Sequence, residues 1–161
     1  MRYVLRPVTV ASLATIASDW ETIGGAEEFQ IELASAFEFA RTHLDEVLDL
    51  YDTKEGRTDA LVEIVRSDRA SMSKLLKLWV SPEFWQISSD ELRDRLVELH
   101  ASSFALVIDH GMNNNMDTVK LYGRTDAMMD VLRTLSAVWD TLGTTGWSSR
   151  LDGRWLAITK D

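Results

Sequence analysis

The segment from Leu75 to Leu92 has the order of elements that many proteins use to bind a phosphate group. It reads LLKLWVSPEFWQISSDEL, which predicts a strand, a loop with a proline, and a capped helix. Free N–H groups and the dipole at a helix start attract anions, and glycines usually let phosphates approach the backbone. No glycine lies in this segment. An ordinary capped helix start is therefore the favoured interpretation, and phosphate binding is the alternative.

Few other side chains have the type and spacing of a catalytic or metal site. Glu63 lies in an alternating strand and is expected to face solvent, and Tyr122 is expected to pack by its ring. His43, His100 and His110 have no i, i+4 pairing, so no metal site is predicted. The chain has no cysteine, which excludes thiolate chemistry and disulfides.

The composition is that of one globular domain, predicted to span residues 1–161. A net charge of −9 argues against a nucleic-acid surface. No apolar run reaches the ~20 residues of a membrane span, and no signal peptide is recognised, so we expect no membrane association and a cytoplasmic location.

Hydrophobic periodicity predicts seven strands and four helices in one α/β domain. The strands are expected at Tyr3–Thr9, Val47–Tyr51, Ala60–Arg66, Leu75–Val80 and Thr118–Tyr122, with a final hairpin around Asp152-Gly153. The helices are expected to begin after Ser12, at Glu27, at Ser88 or Ser89, and at Thr125. Ser88 and Glu91 have the capping-box spacing, and Gly111 is expected to end the third helix.

This order of elements resembles that of the GNAT acetyltransferases over nearly the whole chain. The opening YVLRPVTVASL is similar to the first strand and turn of that family, and ALVEIV and LLKLWVSPEF resemble its third and fourth strands. The resemblance implies an α/β (α+β) fold with a mixed, mostly antiparallel sheet of about seven strands, flanked by about four helices.

A narrower resemblance lies in the second half of the chain. SPEFWQISSDELRDRL, TVKLYGRTDAMMDVLRTLSAVW and RLDGRWLAITK look like the GNAT-like internal virion proteins of short-tailed phages. This resemblance implies a degenerate member of the superfamily that acts in morphogenesis, with phage structural proteins as partners and the host cytoplasm or the virion as its location.

The GNAT resemblance also implies where a cofactor would lie. In that family acetyl-CoA lies between the fourth and fifth strands, with its diphosphate on a (Q/R)-x-x-G-x-(G/A) loop. Gln86 could stand for the first residue of this motif, but serine and aspartate occupy the glycine positions, and Asp90 and Glu91 add negative charge. The expectation is therefore that no cofactor binds. If acetyl-CoA does bind, the candidate contacts are Trp79, Val80, Gln86, Ser88 and Ser89.

The catalytic residues of the family are not matched either. Leu132 stands where many GNAT enzymes have a tyrosine that protonates the leaving thiolate, and Arg124 and Thr125 occupy the region of an asparagine. If the protein is an enzyme, Glu63 is the candidate general base and Tyr122 the nearby phenol. The interpretation leans away from an enzyme.

Six tryptophans are many for 161 residues, and some are candidates for partner contacts. Trp79, Trp139 and Trp155 are predicted to be core, and Trp20 is predicted near a loop. Phe84, Trp85 and Trp147 are the candidates for partner contacts. Trp85 beside Phe84 could instead fill the unused cleft, and this is the preferred interpretation of the pair because bulky apolar rings exposed there would be unfavourable.

The favoured interpretation is a non-catalytic GNAT-fold protein that acts through protein contacts, in phage virion assembly. A divergent acetyl-CoA-dependent N-acetyltransferase is the first alternative, and a small acidic inhibitor of a host protein is the second. The sequence predicts no oligomeric state.

Overall fold

Strands and helices follow one another in the predicted order in the computed structural model, which describes residues 2–24 and 27–161. The elements are β1 (Tyr3–Pro7), α1 (Val10–Ile23), α2 (Glu27–Thr42), β2 (Val47–Asp52), β3 (Arg57–Ser67), β4 (Met72–Val80), α3 (Asp90–Asn113), β5 (Thr118–Tyr122), α4 (Asp126–Val138), β6 (Trp147–Asp152) and β7 (Trp155–Lys160). Short 3-10 turns lie at Asp68–Ala70, Pro82–Phe84 and Trp139–Thr141.

The seven strands of the described residues form one sheet in the order β1-β2-β3-β4-β5-β7-β6. β4 and β5 pair in parallel, whereas β1–β2, β2–β3, β5–β7 and β6–β7 pair antiparallel. The prediction of a mixed, mostly antiparallel sheet with four helices is confirmed.

The chain divides into two compact units. The first contains the described residues up to Glu63 together with Leu78–Leu99, and the second contains Ile64–Lys77 and His100–Asp161. The assignment of 1–161 to one domain stays a prediction.

The core of the first unit lies between its strands and the helices α1 and α2. Trp20 is only 2% exposed there, and its indole N–H donates to the Thr58 carbonyl at 3.0 Å. Trp20 lies in the last turn of α1, next to the loop as predicted, and the apolar stripe of the helix turns its ring into the core. Trp79 belongs to the same core, as predicted.

In the second unit, one face of the sheet is buried and the other is half-exposed. Val119, Leu121, Leu156 and Ile158 are fully buried on the first face. Trp139 is also buried, as predicted. Trp155 was predicted to be core, but it is only half-buried because its position in β7 turns it to the other face.

Several predicted boundaries are corrected by side-chain caps and turn geometry. α1 begins at Val10 because Thr9, and not Ser12, is its N-cap; Ser12 completes a capping box with Thr9. In the final hairpin Asp152 pairs with Trp155, so the two-residue turn starts at Gly153.

α3 does not end at Gly111 but continues to Asn113. A side chain at position 111 would overlap Val119 Cγ2 and approach Ser73 Cβ. The glycine is therefore needed for close packing of the helix on the sheet of the second unit and not to end the helix.

A group of buried and half-buried charges attaches the start of α3 to β3 within the first unit. The Arg95 guanidinium donates to Asp59 Oδ2 at 3.1 Å and to Glu83 Oε1 at 2.9 Å. The Tyr3 hydroxyl donates to the same Asp59 oxygen at 3.0 Å, and Arg57 forms an ion pair with Glu83. This network joins two strands, the β4–α3 loop and the helix.

A register shift in the β2–β3 ladder explains why Asp59 lies in this network. Leu50 pairs with Ala60 and Tyr51 with Thr58, which leaves Asp59 as the extra residue of a β-bulge. Its side chain has no exposed surface. Burial raises the pKa of the Asp59 carboxyl, against the lowering effect of the Tyr3 hydrogen bond and the Arg95 charge.

Asp52, also with no exposed side-chain surface, is held in its charged form. Burial acts to raise its pKa, but the Arg2 guanidinium and the backbone N–H groups of Lys54 and Glu55 outweigh burial and lower it below 3.8.

We expect Gly111→Ala to lower the free energy of unfolding by about 1–3 kcal/mol, because the new methyl group overlaps the Val119 side chain. Urea denaturation of the two single variants and of the Gly111→Ala/Val119→Ala double variant checks this. Val119→Ala removes the overlapping methyl group, so the double variant is expected to lose less stability than the sum of the singles. Strict additivity would contradict the packing explanation.

We expect Arg95→Met to lower the free energy of unfolding by roughly 3–5 kcal/mol, because it removes the guanidinium that hydrogen-bonds the buried Asp59 carboxylate and leaves it the longer ion pair with Arg57 Nε at 3.4 Å. Arg93→Met is the matched control, since Arg93 pairs with Asp90 only at the exposed surface and its loss is expected to change stability by less than about 1 kcal/mol. Equal losses in the two variants, measured by urea denaturation, would show that the network is not stabilising.

The contribution of Asp52 to the free energy of unfolding is expected to depend on pH in the acid range. Because its folded pKa is lowered, its stabilisation is complete above the unfolded value of 3.8 and is lost as the pH falls below that value. The pKa of Asp59 is shifted in the opposite direction, so its effect on stability has the opposite pH dependence. The stability of the wild type must therefore be compared with that of Asp52→Asn at each pH.

Urea denaturation from pH 7 to pH 2.5 is expected to show Asp52→Asn less stable by roughly 2–4 kcal/mol at pH 7, with the gap closing below pH 3.8. Asp19→Asn, on the exposed surface of α1, is the control and should show no such gap. A gap that stays constant down to pH 2.5 would contradict the assignment.

Candidate functional site

The C-terminal end of β4 extends beyond the part of the strand that pairs with β5. The parallel ladder joins Met72–Leu75 to Thr118–Leu121, and β4 continues through Val80. Within the first unit, the end of β4 borders a cavity of about 190 Å³. Its lining consists of Glu32, Leu33, Leu78, Trp79, Val80 and Trp85. The two strand residues predicted as cofactor contacts, Trp79 and Val80, therefore both line this cavity.

The loop after β4 is anchored at its start and exposed at its end. The Ser81 N–H donates to the Asp59 carbonyl at 2.8 Å, and Pro82 begins a single 3-10 turn. Gln86 and Ser88, both predicted as cofactor contacts, are exposed. Their side chains are therefore accessible to a ligand from solvent.

Ser89 caps α3. Its hydroxyl accepts the Leu92 N–H at 3.1 Å, so the cap lies at the second of the two predicted serines. This bond satisfies one of the four free N–H groups of the helix start and leaves others available to an anion.

The charge at the start of α3 is less negative than the sequence suggests. Arg93 donates to the Asp90 carboxylate at 2.7 Å, with both side chains exposed. Such a surface pair is weak, but it places a guanidinium beside the loop. Glu91 is exposed in the same turn and adds negative charge.

The two candidate catalytic residues lie in different surroundings. Glu63 was expected to face solvent, but it is 5% exposed and pairs with the buried Val47 in the β2–β3 ladder. The expectation fails because both faces of β3 are covered at this point. Tyr122 is half-buried in the second unit with its ring 4.9 Å from that of Trp155, in agreement with packing by its ring.

Of the three candidates for partner contacts, only two have rings within reach of solvent. Phe84 is 4% exposed and lies under the Arg95 guanidinium, so its ring belongs to the interior and is not available to a partner. Trp85 and Trp147 are half-buried. Trp85 lines the cavity, and the Trp147 carbonyl accepts the indole N–H of Trp139 at 3.0 Å.

Among the described residues, no group of three or more His, Asp or Glu side chains could hold a metal ion. His43 stacks on Phe39 with ring centres 4.2 Å apart. His110 accepts a hydrogen bond from Arg66 at 2.8 Å through Nε2, because a guanidinium can only donate. Burial, followed by the Arg66 charge, lowers the pKa of His110.

Sequence reasoning missed Glu32, the ionisable side chain among those that line the cavity. It lies on the exposed side of α2, where periodicity alone marks it as a solvated residue. It also missed Asp59, although a carboxylate in the apolar strand RTDALVEIVRS was a signal of a buried polar contact.

No helix in the described residues is both long and apolar enough to cross a membrane.

No protein-family model and no curated protein matches this sequence. Solved structures do match. A GNAT-family acetyltransferase from Bacillus anthracis superposes with a TM-score of 0.54 at 8% identity, over 99% of this chain and 95% of that one. A putative ribosomal-protein-serine acetyltransferase from Vibrio cholerae gives 0.53 at 9% identity, over 99% and 92%.

A third match concerns the cofactor. The PaiA N-acetyltransferase from Thermoplasma acidophilum, crystallised in complex with coenzyme A, matches with a TM-score of 0.40 at 14% identity, over the whole of both chains. The expectation of a protein without a cofactor is contradicted by this finding and is withdrawn.

At these identities the comparisons establish the architecture. The chain has the fold of the GNAT acetyltransferases.

Proposed function

We propose that this protein is a divergent N-acetyltransferase that transfers the acetyl group of acetyl-CoA to an amine. The observation that supports the proposal is the end of β4, which runs on past its ladder with β5 and borders a cavity of the first unit. A strand end beside an apolar cavity suits the arm of coenzyme A, because backbone groups can pair with its amides and the Trp79 and Trp85 rings can contact its methylene groups.

The residues after β4 fit the diphosphate of this cofactor in spite of the missing glycines. Gln86 and Ser88 are exposed and can donate hydrogen bonds, and Ser89 is small enough to allow approach to the first N–H groups of α3. Arg93 offsets the Asp90 charge. Glu91 remains the one unfavourable charge of this turn, so we expect a weaker site than one built on glycines.

When bound, the cofactor would supply the activated acetyl thioester. The chain would supply a carboxylate at the cavity, Glu32, which can bind the ammonium form of an acceptor and accept its proton. The rings of Trp79 and Trp85 line the same cavity and would restrict the access of water to the reacting groups.

A role in protein contacts, in virion assembly or against a host protein, is the competing proposal. The observation that favours it is the glycine-free loop, which departs from the phosphate-binding motif of the GNAT enzymes. The half-buried rings of Trp85 and Trp147 would be its contact residues.

Isothermal titration with acetyl-CoA tests the proposal, with Ser89→Asp as the informative variant. Aspartate caps a helix as well as serine does, so the helix start is kept while a negative charge enters the diphosphate site. We expect an affinity about tenfold lower than that of the wild type. Ser18→Asp, on the exposed surface of α1, is the control and should bind like the wild type.

Turnover is measured as free thiol released from acetyl-CoA in the presence of a panel of amines. The chain has no cysteine and therefore contributes no thiol background. No binding of acetyl-CoA by the wild type, or equal affinities of the two aspartate variants, would contradict the proposal and favour the role in protein contacts.

A further inference from the structure

The half-exposed face of the sheet in the second unit carries a row of positive charges across four strands. Lys74 of β4 pairs with Lys120 of β5, Lys120 pairs with Ala157 of β7, and Ala157 pairs with Arg150 of β6. Because paired residues project to the same side, the three cations share one face, with only a methyl group between Lys120 and Arg150.

These cations have no internal partner. None of the three side chains makes a hydrogen bond or has a carboxylate within 4.0 Å in the part of the chain that the structure describes. Neighbouring strands lie about 4.8 Å apart, so Lys74 and Lys120 repel each other across the ladder. In a protein with 26 acidic residues and a net charge of −9, unpaired cations gathered on one face indicate a binding site for an anionic ligand.

The rows on either side of the cations add an aromatic surface and hydroxyl groups. Tyr122 pairs with Trp155, and their half-exposed rings lie 4.9 Å apart in a tilted arrangement. They are two residues along the strands from the cations, a distance of about 7 Å. On the other side Thr118 pairs with Thr159.

The cations, the two threonines and Trp155 border an open cavity of about 510 Å³, which is within the usual range for a small-molecule site. Tyr122 lies beside Trp155 and outside this lining. The lining includes Lys74, Thr118, Lys120, Arg150, Trp155 and Thr159. Asp152 is the one carboxylate in the lining, so the cavity has a net positive charge.

We propose that this face binds a small molecule that carries both an aromatic ring and a phosphate group, of the nucleoside monophosphate class. The cations and hydroxyls would bind the phosphate, and the Tyr122–Trp155 pair would stack on the ring. A second copy of the chain is disfavoured because it would bring like-charged rows together. An acidic polypeptide would use the cations but not the aromatic pair. The inference does not rest on acetyl transfer.

The test is isothermal titration of the full chain at low salt with GMP, guanosine and inorganic phosphate. We expect GMP to bind more tightly than either fragment, and its affinity to fall with added salt. Lys120→Gln is expected to weaken GMP binding at least tenfold, and Lys74→Gln to act in the same direction. Lys160→Gln, an exposed lysine whose position projects it to the other side of β7, is the control and should bind GMP like the wild type.

Thermal unfolding separates a ligand site from a structural role. Because each glutamine variant removes the repulsion between Lys74 and Lys120, its Tm is expected to equal or exceed that of the wild type. A lower Tm would indicate a structural role of the lysines and overturn the inference.

Three other results would also overturn it. The first is that GMP does not bind. The second is that inorganic phosphate binds as tightly as GMP. The third is that GMP binding is lost in Ser89→Asp but kept in Lys120→Gln. Since the glutamine variants leave the β4–α3 loop unchanged, failure here is distinguishable from failure of acetyl-CoA binding.

Discussion

The geometry of the first unit depends on the pairing of Arg95 with two buried or half-buried carboxylates. Asp59 lies in a strand and Glu83 in a loop, and one guanidinium bonds both. Isolated, the Asp59 carboxylate would be strongly unfavourable in this interior, so the loop and the helix must keep the position that brings Arg95 to it. The exposed end of the loop, where a ligand would contact Ser88 and Ser89, is thus attached to a start that the Arg95 network holds in place.

The fixed start of the loop matters for interpreting the absence of glycine. Glycines in a phosphate-binding loop provide positive φ angles and close approach. Here the loop makes one 3-10 turn at Pro82–Phe84 and then enters α3 through a serine cap. The small side chain of Ser89 at the cap would let a phosphate approach the backbone N–H groups without glycine. The repulsion expected from Asp90 is reduced because the i, i+3 position carries Arg93.

The sequence predicted element order and sheet type well, because hydrophobic periods of 2 and 3.6 residues are local signals. It predicted the roles of Phe84, Trp155 and Glu63 poorly, and it did not predict that Trp20 is core. For those residues the decisive fact is which side of an element is covered, and that depends on tertiary packing. Gly111 was misjudged for a related reason, since a glycine that ends a helix and one that admits a neighbouring strand look the same in sequence.

The candidate site was predictable only in part. Trp79 and Val80 follow from the resemblance of LWVSPEF to a known fourth strand, and they do line the cavity. Glu32 is 47 residues away from Trp79 in sequence, and only the packing of α2 brings it to the same cavity. The row of Lys74, Lys120 and Arg150 depends on the parallel pairing of β4 with β5, a long-range register that local patterns do not define.

The division into two units has a consequence for the covalent chain. The boundaries fall inside β3, inside β4 and inside α3, so each of these elements contributes residues to both units. Neither unit is a continuous stretch of sequence, and no truncation can isolate one of them intact. A nick or an insertion in the middle of any of these three elements therefore interrupts both units at once, which makes the surface loops the places where the chain can be fused or cut.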